Sequence, residues 1–250
     1  MDLGIENRTA LVLGASRGLG RAIAEALGRE GSRVALASRS AGGLEEVAAE
    51  IGTETAVLPV DTGHENAVAA LPGQVAEALG PVEILVLNTG GPPAGGALDA
   101  NPDEWRSAFQ SLVLTPLMLA QACVPGMRER GWGRIVNVSS TSIREPIQGL
   151  ALSNSNRMAA LGLLNTLAAE VAGDGITVNT IATGRFGTER LEQMYGSLEA
   201  AEERARADVP AGRLGTPQEY GELVAYVCSE RAAYLTGTVI PLDGGLTRSS

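Results

Sequence analysis

A run of glycines near the start of the chain has the composition and spacing of a phosphate-binding turn. Gly14, Gly18 and Gly20 lie within Leu11–Gly20, a segment that begins as an apolar run and continues into a helical pattern. Glycine tolerates positive φ and lets a ligand approach the backbone, and the first N–H groups of a helix attract anions. The Gly-x-x-x-Gly-x-Gly spacing at a strand-to-helix junction therefore predicts a nucleotide-phosphate site. Glycines that serve an ordinary tight turn are the alternative.

This turn is the first of many alternations between short apolar runs and longer helical patterns. The seven runs that are typical of buried parallel strands are Ala10–Leu13, Val34–Ala37, Ala56–Val60, Ile84–Leu87, Ile135–Val138, Thr177–Ile181 and Val239–Leu242. The segments with helical patterns are Gly18–Glu30, Leu44–Ile51, Glu65–Leu79, Asp103–Glu129 and Leu150–Ala172. The alternation predicts an α/β fold, a Rossmann-type doubly wound parallel sheet of about seven strands flanked by helices. No linker or repeat divides the chain, so we expect one domain over residues 1–250.

Charge and composition exclude several classes of function. The formal net charge is −10, and all 19 basic residues are arginine. Such a charge disfavours nucleic acid and anionic membranes as partners. The two cysteines, Cys123 and Cys228, and the one histidine have no metal-ligand spacing, so we expect no metal site. We find no uninterrupted apolar run long enough to span a bilayer and no signal-peptide pattern, and we expect a cytoplasmic protein.

Several motifs in order make the chain resemble the short-chain dehydrogenase/reductase family, and in particular its 3-oxoacyl-(acyl carrier protein)-reductase-like members. Gly14–Gly20 matches the cofactor loop of the family, and Asn88–Gly91 is similar to its Asn-Asn-Ala-Gly segment. Gly175–Asn179 resembles the opening of its sixth strand, and Gly237–Gly245 resembles its last strand. The resemblance covers nearly the whole chain, and it implies the same fold.

The resemblance also implies a nicotinamide dinucleotide cofactor. The residues that match its binding positions, or that are suited to its phosphates, are Gly14, Ser16, Arg17, Gly18, Leu19, Gly20, Arg39, Asp61, Asn88, Gly90 and Thr188. The second predicted strand ends at Ser38-Arg39-Ser40, without the acidic residue that binds the ribose 2′-hydroxyl in NAD sites. Arg39, flanked by Arg17, has the planar fork that suits a 2′-phosphate. We therefore favour NADP(H) over NAD(H), with solvated surface arginines as the alternative.

The catalytic positions depart from the family pattern, which uses an Asn, a Ser, a Tyr and a Lys. In the family the Tyr protonates the developing alkoxide, and the Lys lowers the pKa of that Tyr. Ser140 keeps the Ser position, whereas Ser153 stands at the Tyr position, Arg157 at the Lys position and Leu112 at the Asn position. Serine is a poor general acid without an activating partner, and arginine stays protonated. Ser140, Ser153 and Arg157 are thus the candidate catalytic residues, without the usual proton relay.

Three functions are compatible with a cofactor site that keeps the family's motifs and catalytic positions that depart from them. The first is an NADP(H)-dependent oxidoreductase for a small carbonyl or alcohol, with the proton supplied by a water or a substrate group. The second is a catalytically impaired nucleotide-binding protein with a sensing or assembly role. The third is a non-redox enzyme that uses the same pocket.

The segment 184–213 follows the sixth predicted strand and is expected to cover the substrate, because ligands of such sheets bind beyond the carboxyl ends of the strands. Tyr195 within this segment is an alternative proton donor, although an ordinary surface or covering role is the simpler interpretation. Arg144 and Arg185 are candidates for binding an acidic substrate or an acyl-carrier phosphate, with solvated roles equally open. The resemblance further implies a homotetramer.

Overall fold

Seven parallel strands form one sheet in the computed structural model, which describes residues 1–249. The strands are β1 (Thr9–Leu13), β2 (Arg33–Ser38), β3 (Thr55–Pro59), β4 (Ile84–Leu87), β5 (Gly133–Val138), β6 (Ile176–Thr183) and β7 (Val239–Leu242). Their order in the sheet is β3-β2-β1-β4-β5-β6-β7, and every pairing is parallel. The chain therefore winds outwards from β1 and then returns to place β4 on its other side. The predicted Rossmann-type doubly wound fold is confirmed.

Helices cover both faces of this sheet. They are α1 (Gly18–Arg29), α2 (Ala41–Glu50), α3 (Glu65–Leu79), α4 (Pro102–Phe109), α5 (Thr115–Arg130), α6 (Ala151–Val171), α7 (Glu189–Tyr195), α8 (Leu198–Asp208) and α9 (Pro217–Val227). The segment 184–213, which has no strong pattern in the sequence, contains α7 and α8. These two helices pack on each other through a small apolar cluster that includes Ala201 and Ala205.

Two apolar layers hold the helices to the sheet. Side chains along a strand point alternately to opposite faces, so Val12 of β1 enters one layer while Leu11 enters the other. The first layer contains residues of α1, α2 and α9, and the second contains residues of α3, α5 and α6. Because both faces are buried, the strands can be almost continuously apolar, which is why the sequence predicts them well.

The helical stretch from Pro102 to Arg130 corrects one expectation. It has 29 residues, with a window of mean hydropathy 1.4, and is long and apolar enough to cross a membrane by length and composition. Half of that window is buried within the domain, where Leu119 and Met127 belong to the second apolar layer. Packing against the sheet therefore accounts for its hydrophobicity.

A π-helical turn, Gln110–Leu114, interrupts this stretch between α4 and α5. The N–H of Thr115 donates to the carbonyl of Gln110, five residues back rather than four. The extra residue shifts the helical register, and turns of this kind often occur at functional sites. The predicted helix Asp103–Glu129 is thus two α-helices joined by a π turn.

Candidate active site

The glycine-rich turn lies where the winding of the sheet reverses, between the carboxyl ends of β1 and β4. Gly14 and Gly18 have φ of 62° and 55°, in the left-handed region that favours glycine. A Cβ on Gly20 would lie 2.6 Å from the Asn88 side-chain nitrogen, and a Cβ on Gly14 would lie 2.8 Å from the same atom. Arg17, at the N-cap of α1, makes no side-chain capping hydrogen bond. The turn thus presents close-packed backbone and an uncapped helix N-terminus.

The remaining residues predicted to bind the cofactor lie around this turn. Leu19 packs on the first apolar layer, and Ser16 lies beside the start of α2. Asp61 follows β3 and is exposed, with its carboxylate accepting a hydrogen bond from the Gly63 N–H at 2.9 Å. Gly90 is an exposed residue of the loop after β4.

Arg17 and Arg39 have different surroundings. Arg39 is exposed at the end of β2, and no carboxylate within residues 1–249 forms an ion pair with it. Arg17 is exposed but already paired: its Nη1 lies 2.7 Å from Oε2 of Glu189 on α7. The ion pair with Glu189 thus engages Arg17, whose role beside a 2′-phosphate stays a prediction.

The segment 184–213 folds back against the glycine-rich turn. Thr188 is the N-cap residue of α7, and its methyl carbon lies 3.6 Å from the position that a Cβ on Gly18 would take. Together with the ion pair between Arg17 and Glu189, this contact brings α7 over the carboxyl end of β1.

Ser153 and Arg157 lie one turn apart on α6 and are hydrogen-bonded to each other. Nε of Arg157 donates to the Ser153 Oγ at 3.1 Å, and its Nη1 donates to the carbonyl of Val138, the last residue of β5, at 3.0 Å. Ser140 follows β5, and its Oγ accepts from the Ser142 N–H at 3.1 Å. The structure therefore places all three candidate catalytic residues at the carboxyl end of β5, on the edge of the sheet that carries the glycine-rich turn.

Arg157 has no carboxylate within ion-pairing distance in the part of the chain that the structure describes. Burial, and to a smaller degree the positive charge of Arg190, lowers the pKa of Arg157 to about 10. The guanidinium nevertheless stays charged at neutral pH. Arg157 is therefore a cation at the sheet edge that has two neutral acceptors and, in the described residues, no ion-pair partner.

Leu112, which the resemblance assigns to the family's Asn position, lies on the π turn and is buried. It packs with Val113 and with Ala160 of α6. An apolar contact between the π turn and α6 therefore replaces the polar group that the resemblance implies. Leu112 cannot order a water in the cleft.

Two residues near Arg157 were missed in the sequence. Arg190 of α7 reaches the loop after β4, where its Nη1 donates to the Gly91 carbonyl at 3.3 Å. Tyr220 of α9 is fully buried, its hydroxyl lies 2.8 Å from the Thr183 Oγ1, and burial raises its pKa. The sequence does contain a signal for Arg190, because it lies two residues after Thr188, which is a predicted cofactor-binding residue. Tyr220 has no signal in the sequence, because only the tertiary fold brings α9 to β6.

Three other candidates are engaged elsewhere. Tyr195 packs on the apolar cluster between α7 and α8, which argues against a role as proton donor. Arg185 pairs with Asp208 at 2.8 Å. Arg144 donates to the Ser249 carbonyl at 3.0 Å, so it contacts the C-terminal segment.

Comparison with known proteins places this geometry in a family. A family model described as enoyl-(acyl carrier protein) reductase matches residues 14–247. The 3-oxoacyl-(acyl-carrier-protein) reductase FabG of Pseudomonas aeruginosa is 33% identical over 250 residues, covering 99% of this chain and 100% of that protein. The acetoacetyl-CoA reductase of Shinella zoogloeoides is 34% identical over 241 residues, covering 96% of this chain and 98% of that protein.

A solved structure agrees with the sequence matches. The L-sorbose reductase of Gluconobacter frateurii, solved in complex with NADPH and L-sorbose, is similar with a TM-score of 0.94 and 29% identity over 100% of both chains. The fold, the matched family model and the near-complete coverage of these relatives agree with one another. The chain belongs to the short-chain dehydrogenase/reductase family, with a FabG-like sequence.

Proposed function

We propose that this protein is an NADP(H)-dependent oxidoreductase that reduces a small carbonyl compound or oxidises the corresponding alcohol. The observation that carries the proposal is the hydrogen bond from Arg157 Nε to Ser153 Oγ, at 3.1 Å on α6. It joins a hydroxyl to a cation at the two positions where the family has a phenol and an amine. The relatives named above are reductases, which supports the same class of reaction for this chain.

The glycine-rich turn fits a dinucleotide. Gly14 and Gly20 let the turn pack closely against Asn88, where a Cβ would clash, and α1 begins without a side-chain cap. Backbone N–H groups at such a helix N-terminus bind a pyrophosphate. When bound, a nicotinamide dinucleotide supplies or accepts the hydride.

Reduction of a carbonyl adds a hydride to its carbon and a proton to its oxygen, so the site must stabilise negative charge on that oxygen. Ser153 accepts a hydrogen bond from a cation, which strengthens its own hydroxyl as a donor towards the substrate oxygen. Ser140 Oγ likewise accepts from a backbone N–H and keeps its hydroxyl proton available. A fixed donor of this kind contributes about 10²–10³-fold to a rate. Because serine is short, we propose that solvent water delivers the proton.

Arg39 supports the preference for NADP(H), because it is an exposed cation at the end of β2 without an acidic partner in residues 1–249. We expect Arg39→Ala to weaken NADPH binding about tenfold and to leave NADH binding nearly unchanged, the loss of roughly one charge-assisted hydrogen bond. Fluorescence titration of both nucleotides measures this. Arg29→Ala, which removes another exposed arginine at the end of α1, is the matched control.

Turnover tests the proposed reaction. NADPH oxidation is followed by nicotinamide absorbance with a panel of ketones, quinones and 3-oxoacyl thioesters. We expect turnover that falls in Arg157→Ala and in Ser140→Ala. Binding of NADPH without turnover across the panel would instead support a nucleotide-binding protein with a sensing or assembly role, and absence of nucleotide binding would favour a non-redox enzyme. A Ser153→Tyr, Arg157→Lys double variant with raised activity would show that the rest of the pocket is competent.

Assembly and location are further parts of the proposal. Phe109 on α4 and Met158 on α6 are 42% and 50% exposed, and such apolar side chains on neighbouring helices support the proposed homotetramer. Light scattering after size-exclusion chromatography measures the oligomeric state. A cytoplasmic location without nucleic-acid or membrane partners rests on composition, and fractionation of the producing cells tests it.

A further inference from the structure

We infer that Arg190 binds a carboxylate of the substrate, so that the substrate is an oxo acid or the corresponding hydroxy acid. This inference rests on the proposed function and names the class of substrate for the same site. It comes from the position of Arg190, from its lack of an acidic partner and from its neighbour Arg157.

Arg190 connects the covering segment to the loop after β4. Its backbone belongs to α7 in the covering segment, and its guanidinium lies against Gly91 in the loop after β4. The hydrogen bond from Nη1 to the Gly91 carbonyl is 3.3 Å long, close to the upper limit for such a bond. The residue is exposed, although its guanidinium is partly buried against the loop and this burial lowers the pKa of Arg190. A long single hydrogen bond leaves most of its N–H groups available to a ligand.

The other arginines of the segment 184–213 all have acidic partners. Those ion pairs are Arg185 and Arg204 with Asp208 at 2.8 and 2.7 Å, Arg206 with Glu202 at 3.5 Å, and Arg213 with Glu219 at 2.6 Å. Glu189, the residue beside Arg190, is taken by Arg17. Within residues 1–249, Arg190 is thus the one arginine of this segment without a carboxylate within ion-pairing distance, in a chain whose net charge is −10.

Arg190 also lies near Arg157: burial is the main cause of the lowered pKa of Arg157, and the positive charge of Arg190 adds to it. Arg157 contacts the carboxyl end of β5 and Arg190 contacts the loop after β4, and within residues 1–249 neither forms an ion pair, so the field of the two charges together favours an anion at this edge of the sheet. A carboxylate accepts two parallel hydrogen bonds from a guanidinium. The oxygen that becomes negative during hydride transfer benefits from the same field, so a carboxylate held by Arg190 would leave Arg157 and Ser153 for the carbonyl.

Matched acids and esters provide the test. The kcat/KM values are measured for pyruvate, acetoacetate and 4-oxopentanoate and for their methyl esters, which keep the carbonyl and remove the charge. We expect the wild type to prefer the acid of at least one pair, and Arg190→Gln to reduce that acid-to-ester ratio about ten- to a hundredfold, the range for a hydrogen bond to a charged group. Arg206→Gln, which removes one charge from α8 in the same segment, is the control and should keep the ratio.

The phosphates of the cofactor offer the same oxyanion chemistry, so the dissociation constant of NADPH is measured for each variant. Unchanged NADPH binding with a reduced acid-to-ester ratio supports the inference. Weaker NADPH binding with equal losses for acid and ester overturns it, and so does a wild type that does not prefer any acid. If no compound is turned over, the proposed reaction fails. Calorimetric titration of the acids into the NADP⁺-loaded protein then tests the carboxylate site by itself. Binding that Arg190→Gln abolishes supports the site, and no binding overturns it.

Discussion

Two arginines at opposite ends of β5 show that the same type of side chain can either stabilise the fold or keep donors available to a ligand. Arg134 lies near the amino end of β5 and is 2% exposed. Its guanidinium donates to the carbonyls of Ser229, Gly133 and Gly175 at 3.2, 2.8 and 3.2 Å, and it stacks on the Trp132 ring at 4.4 Å. Arg134 therefore has acceptors on several sides.

Arg157 lies at the other end of β5, with one hydroxyl and one carbonyl as its acceptors. Burial lowers the pKa of both arginines, but only Arg134 has a third carbonyl and an aromatic ring as compensation. A buried cation with incomplete partners costs free energy in the folded protein. The comparison indicates that Arg134 contributes to stability, whereas the proposed function gives the charge of Arg157 a use that offsets its cost.

The largest expected effect comes from Arg157→Met. It should lower kcat/KM about 10²–10³-fold, the usual loss for a fixed donor at a developing oxyanion. Its Tm should stay the same or rise, because an uncompensated charge is removed. Steady-state kinetics and calorimetry measure the two quantities, with Arg157→Lys as the charge-keeping control. A marked fall in Tm would show that Arg157 is structural, like Arg134.

Arg134→Met is expected to give the opposite pattern. Removing the guanidinium leaves three carbonyls without their donor, and we expect the free energy of unfolding to fall by about 2–3 kcal/mol. Denaturant unfolding measures the loss, and kcat of the folded fraction should stay within about twofold, a difference of less than about 0.5 kcal/mol. Unchanged stability would contradict the structural role.

Ser153→Ala tests the smaller part of the catalytic pair. It removes the hydroxyl but keeps the cation, so we expect kcat to fall about tenfold, equivalent to about 1.4 kcal/mol. The pH profile of kcat separates this from a folding defect. An unaltered kcat would mean that Arg157 acts on the substrate without Ser153.

Trp132→Leu tests the stacking that distinguishes the amino end. Arg8 lies 4.0 Å from the centroid of this ring and Arg134 lies 4.4 Å from it. We expect a loss of about 1 kcal/mol in unfolding free energy from the two cation–π contacts. The loss should shrink in an Arg134→Met background, and a double-mutant cycle that shows no coupling would contradict the contact.

Arg213 provides a surface reference with the smallest effect. It pairs with Glu219 at the start of α9, and this hydrogen bond and that of the Thr216 N–H lower the pKa of Glu219 to about 2. A carboxylate with a lowered pKa stabilises the fold above its unfolded pKa, and this contribution is lost as pH falls towards 2. Because the pair is exposed, we expect Glu219→Gln to change unfolding free energy by less than about 1 kcal/mol at pH 7. The difference from wild type should disappear near pH 2 in urea unfolding.

Local chemistry made much of this molecule predictable. The buried strands have an apolar signal along their whole length, so Ile84–Leu87 was predicted with its observed bounds. The contact between Ser153 and Arg157 follows from a spacing of four residues, because such residues are neighbours on one helix face. The glycine-rich turn is predictable from its three closely spaced glycines, Gly14, Gly18 and Gly20.

The unpredicted features join residues that are far apart in sequence. The Arg17–Glu189 pair spans 172 positions, and the Arg190–Gly91 contact spans 99. Such contacts depend on how α7 packs over the edge of the sheet, and no local sequence pattern predicts that packing. The same reason explains why the sequence did not reveal the partner of Arg17 or the positions of Arg190 and Tyr220.

The π turn at Gln110–Leu114 carries Leu112, whereas Ser153 and Arg157 lie in an uninterrupted helix. We propose that these three residues take the Asn, Tyr and Lys positions of the family. On that proposal, in evolutionary terms, three amino-acid replacements separate this site from the family's ordinary one, so intermediates between the two can be constructed and their fitness compared one replacement at a time.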